Sequence, residues 1–137
     1  MQTSLSLLPG HGLRTVMGSM TTLSAERVVA DLTAAERVAV QQLFRSMRSD
    51  HGFRTDLEVT PDPALEHAVS RPTLVVASPT DGAVPFKHAQ HLARSIPDAT
   101  LWPSPSLSHL IWFGTGARET GQSTVDFFTR TTAPTQS

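Results

Sequence analysis

The chain has 137 residues, 39% of them hydrophobic, which suits one domain with its own core and is tight for two. Its 11 basic and 12 acidic residues leave a formal net charge of −1, with no basic run or stripe, so nucleic acid is not an expected partner. The absence of cysteine excludes disulfides, thiolate metal sites and cysteine nucleophiles together, and no apolar run approaches the ~18 residues of a membrane span.

Met1 to Met20 shows little periodicity and carries Gly10, Gly12 and Gly18, which reads as a loop or a poorly ordered stretch. Its apolar LSLL has no basic residue ahead of Arg14, so no signal peptide is expected and a cytoplasmic protein is the plain reading. Periodicity becomes helical at Leu23. Ser24 stands as an N-cap before Val28, Val29 and Leu32, and Thr33 and Glu36 are spaced as a capping box. Val40, Leu43, Phe44 and Met47 then recur at helical spacing and predict one buried stripe. HGFRT at 51–55 echoes HGLRT at 11–15, but the match stops there and no third copy follows, so no repeat architecture is expected.

Pro61 to Pro72 reads as a connector around a short helical piece and marks the boundary between a helical segment, 1–60, and an α/β portion, 61–131. The apolar, β-branched run TLVVAS at 73–78 predicts a strand covered on both faces, as in a parallel sheet. PTDG stops it, and Pro85 suits the first turn of a helix from Phe86 to Ile96 with Ala89, Leu92, Ala93 and Ile96 on one face. Ala99 to Trp102 predicts a second strand, and Arg118 to Arg130 a last helix with Val125 and Phe128 inward. Residues 132–137 form a polar tail expected to be disordered. Strand, helix, strand, helix is a βαβα unit with parallel strands and an α/β fold class.

Parallel strands end on the same edge of their sheet, where α/β proteins gather ligands and catalytic groups. Asp81 follows the first strand and His109 the second, so neighbouring strands ~5 Å apart would hang both over one place. Singly, each has an ordinary explanation: a turn aspartate before Gly82, and a loop histidine. Together they suit a carboxylate that fixes an imidazole tautomer while the other ring nitrogen takes a proton from a nucleophile.

These residues carry a resemblance. Pro72, Thr73 and Leu74, then Asp81, Val84 and Pro85, then His88 and Ala89, then Ile96, Pro97 and Ala99, and finally His109 and Leu110 resemble the C-terminal part of the α/β-hydrolase fold family. The resemblance implies Asp81 as triad acid and His109 as triad base, gives His88 a structural place only, and likens 23–50 to the lid such enzymes carry. The chain departs from the family in Ser108, where a glycine usually precedes the histidine, and in lacking the Gly-x-Ser-x-Gly nucleophile turn. The nearest serines are Ser123 in GQSTV, which follows His109 and falls in the last predicted helix, Ser19 in GSM after LPGHG, which lacks the second glycine, and Ser108, poorly aimed at the adjacent ring.

The implied activity is ester or related acyl hydrolysis on a small-molecule substrate by a chain missing its nucleophile, and nearly inactive alone. No cofactor motif is present, and His88 with His91 is too sparse a pattern to predict a metal. A different reading is a non-catalytic binding or assembly module that dimerises or joins a complementing chain through open sheet edges. A further one is a small esterase using Ser19.

Overall fold

The computed structural model describes residues 9–47 and 62–132, so the echo at 51–55 and the tail beyond 132 lie outside the described residues. Three helices come first: α1 (Pro9–Ser19), α2 (Ala25–Asp31) and α3 (Ala34–Ser46). A short α4 (Pro63–His67) leads to β1 (Thr73–Ala77), α5 (Lys87–Ser95), β2 (Ala99–Pro103) and α6 (Ala117–Thr132). The class is α/β with a βαβα unit. Among the described residues, no helix is long and apolar enough to cross a membrane.

Side-chain caps start three of the described helices. The Ser24 hydroxyl accepts from Arg27 N at 3.3 Å. Thr33 and Glu36 close a full capping box, with Thr33 N donating to Glu36 Oε2 at 2.8 Å and Glu36 N donating to Thr33 Oγ1 at 3.2 Å. Asp62 caps α4 by accepting from Ala64 N.

The first departure from the sequence reading is α1, where a loop is expected. Gly12 and Gly18 weaken helix propensity, but Leu13 and Met17, one turn apart, are both buried, and tertiary packing outweighs the glycine penalty. The helix also absorbs Pro9 to Gly12 and most of GSM, which therefore form neither a loop nor a nucleophile turn. Ser19 ends the helix with its hydroxyl donating to Val16 O at 2.8 Å.

The core sits among α1, α2 and α3: Leu13, Met17, Val28, Leu32 and Val40 cluster together, with Phe44 half-buried beside them. Leu107, Leu110 and Phe113 from the loop after β2 pack onto the same cluster, so helical segment and α/β portion share one core. The α3 stripe is narrower than expected, since Leu43 and Met47 are exposed. Met47 already lies at the C-cap, where the helix no longer aims side chains inward.

The strands pair in parallel, Thr73 opposite Ala99 through Ala77 opposite Pro103. All five residues of β1 are half-buried rather than covered on both faces. The reason is topological: among the described residues the sheet has two strands, so β1 keeps one edge unpaired. Helix α5 packs on both strands through buried Ala89 and Ile96, while α6 packs near β1. Val125 and Phe128 are exposed rather than inward. The stripe that α6 turns inward is instead Thr120, Thr124 and Phe127, because Thr120 is anchored to Ser104 at 2.7 Å and to Gly116 O at 3.0 Å.

Candidate functional site

The C-terminal ends of β1 and β2 carry two loops that meet. After β1, Ser78 to Asp81 turns back with Asp81 N donating to Ser78 O at 3.1 Å. One Asp81 oxygen, Oδ1, accepts from Ala83 N and Val84 N, each at 2.8 Å, which locks the carboxylate onto its own loop. The other, Oδ2, lies 2.7 Å from His109 Nδ1. A carboxylate only accepts, so Nδ1 donates and Nε2 is left as the ring's second functional nitrogen.

Burial divides the pair. The Asp81 side chain is 6% exposed and that of His109 is 42% exposed. The acid is sheltered from competing water, and the base is reachable. An open recess of about 240 Å³ adjoins them, walled largely by apolar side chains including Val75, Val84, Leu92 and Ile111.

Buried hydroxyls fix both loops. Ser78 Oγ donates to Ser106 O across the two loops, and Ser106 Oγ donates to Ile111 O at 2.8 Å. The Ser108 hydroxyl accepts from Leu110 N at 3.2 Å and is buried. Ser108 is thus a tie point within the histidine loop. A second restraint comes from the α1–α2 junction, where Met20 to Thr22 lies between the loops and Thr21 forms an antiparallel bridge with Asp81. A third comes from Asp31 and Glu36, which hold the far end of the histidine loop: Gly114 N donates to Glu36 Oε1 at 2.9 Å and Thr115 Oγ1 donates to Asp31 Oδ1 at 2.7 Å. Hydrogen bonds from Thr33 and Gly114 hold the Glu36 carboxyl below the ordinary glutamate range.

The structure therefore brings together Asp81 and His109, which the sequence pairs across two loops. Ser123 is within α6, and among the described residues no serine hydroxyl hydrogen-bonds the His109 ring. His88 borders the recess on α5, while His91 Nε2 lies 3.1 Å from Glu66 Oε2 and 3.4 Å from Ser95 Oγ. No group of three or more His, Asp or Glu side chains gathers as a metal site among the described residues. Thr21 and Ser106 are the contributors the sequence does not reveal, since neither sits in a pattern that separates it from ordinary loop residues.

The chain is similar to a protein of Bacillus subtilis (strain 168) named "Uncharacterized hydrolase YcgS", with 32% identity over 116 residues. The match covers 83% of this chain and 41% of that protein. No family model and no solved structure matches the chain.

Proposed function

We propose that the chain is the acid–base portion of a hydrolase of the α/β-hydrolase type, acting on ester or related acyl bonds, with Asp81 as acid and His109 as base. The observation that carries the reading is the 2.7 Å contact between His109 Nδ1 and Asp81 Oδ2, with the acid buried and the base open to an apolar recess. The hydrolase name of the Bacillus subtilis relative supports the general class.

In this mechanism Asp81 holds the imidazole with Nδ1 protonated and stabilises the imidazolium. His109 Nε2 takes the proton of an attacking serine and later returns it to the leaving group. The reading requires the serine and the oxyanion-binding donors from polypeptide outside the described residues, because acid and base have nothing to activate alone. The helical segment α1 to α3 serves as a lid-like cover gripping the histidine loop.

A chimera tests this: the matched part of the Bacillus subtilis protein is replaced by this chain, and labelling by a fluorophosphonate probe is followed. Labelling is expected, with a fall of several orders of magnitude in rate for His109→Ala. Labelling that is indifferent to His109→Ala would sink the assignment.

A second reading, an assembly module that dimerises or joins a complementing chain, is favoured by the unpaired edge of β1, a ready template for another strand. Sedimentation separates the two: a module of this kind associates at micromolar concentration, and a concentration-independent monomer counts against it.

A further inference from the structure

We propose that Thr21 is a positioning residue for the Asp81–His109 pair, its hydroxyl setting the distance between the acid loop and the base loop. The inference rests on the reading of that pair as acid and base.

The segment Met20 to Thr22 touches both loops at once. Met20 O accepts from Gly82 N at 3.3 Å and from His109 N at 2.7 Å, so one carbonyl joins the residue after the acid to the base itself. Thr22 N donates to Thr80 O at 2.9 Å, on the residue before the acid. Between them Thr21 is 6% exposed. Its Oγ1 lies 2.6 Å from Leu107 O, in the base loop, and 3.3 Å from Thr80 O, in the acid loop. A hydroxyl has one proton, and the shorter contact identifies Leu107 as its acceptor. The same oxygen accepts from Leu23 N at 3.1 Å, which fixes the hydroxyl to the start of the helical segment.

The fit leaves no room for drift. A methyl group added at Gly82 would come within 2.7 Å of the Thr21 N, C and O atoms. Acid loop, Thr21 segment and base loop are therefore in backbone contact, and the Thr21 hydroxyl is the side-chain link reaching Leu107, two residues before His109. Its removal strands the Leu107 carbonyl and the Leu23 amide without a partner in a part-buried place, and a shift of the Leu107 backbone there moves His109 relative to Asp81.

The test reads the pair directly and needs no nucleophile. Proton NMR of the chain at low temperature is expected to show one far-downfield, slowly exchanging resonance, identified as the His109 Nδ1 proton by its loss in His109→Gln. In Thr21→Val that resonance should vanish or exchange at least tenfold faster, and Thr21→Ser, which restores the hydroxyl, should retain it. Val40→Ala, a core change that removes none of the hydrogen bonds between Thr21 and the two loops, should keep it as well.

A resonance unchanged in Thr21→Val overturns the positioning role and leaves the pair standing, whereas its absence from the unmodified chain overturns the pair itself. Loss in Val40→Ala to the same extent would show that the signal follows overall stability and would also overturn the role. Should Thr21→Val fail to fold, Thr21→Ser decides: loss of the resonance in that folded variant contradicts the hydroxyl's part.

Discussion

At the scale of single residues, the balance between local and long-range signal decides what could be read beforehand. Asp81 and His109 stand out because each follows a strand and because parallel strands end together. Thr21 stands out only in three dimensions, since its partners are Asp81, Thr80 and Leu107, far along the chain. Glu36 shows both kinds of signal: its capping box with Thr33 is legible, and its bond from Gly114 is not. This residue carries a pH prediction. Its carboxyl is held below the ordinary range, chiefly by the Thr33 backbone bond, then the Thr33 side chain, then Gly114. A depressed carboxylate contributes stability that is full above the unfolded value of ~4.3 and is lost as pH falls through the lower folded value. Thermal unfolding followed from pH 6 to pH 3 should therefore show a smaller acid loss in Glu36→Gln than in the unmodified chain. Equal slopes would show that the carboxylate is not held in this way. Gly114 makes a complementary case. Its φ of 79° lies in the region glycine favours, and an added Cβ would collide with Asp31. Gly114→Ala should lower stability by more than ~1 kcal/mol in denaturant titration.

At the scale of elements, helix caps were readable and helix faces only partly so. Ser24 and Thr33 begin their helices as their side chains dictate. Thr33→Ala should cost about 1 kcal/mol, measured as a shift in the denaturant midpoint with unchanged slope. Helix α1 escapes detection because its glycines look like loop residues, and its justification is the burial of Leu13 and Met17 against α2 and α3. The test of that explanation is Met17→Ala, which deletes a fully buried side chain and should cost about 2–5 kcal/mol. The last helix gives the opposite result. Val125 is 58% exposed although its apolar character suggests an inward place. Val125→Ser should change the stability of the isolated chain by less than about 0.5 kcal/mol. A hydroxyl bond, Thr120 to Ser104, sets the rotation of this helix, and apolar periodicity carries no trace of it.

For the whole molecule, the parallel βαβα arrangement was legible because a buried-type strand, a helix and a second strand admit few connections. The position of the core was not. The β1 run TLVVA suggests a sheet covered on both faces, yet the deepest packing lies among α1, α2, α3 and the loop bearing His109. The helical segment thereby supports the candidate site through the Met20–Thr22 contacts and the Asp31 and Glu36 bonds. Among the described residues the sheet has two strands and β1 is half-buried, and the match spans 41% of the Bacillus subtilis protein. The most direct test of the central claim is to sequence the DNA upstream of the Met1 codon and translate all frames. The account predicts a strand, a Gly-x-Ser-x-Gly turn and a helix there, supplying the nucleophile for His109 and Asp81. Upstream sequence with no such pattern would contradict the hydrolase reading of the pair.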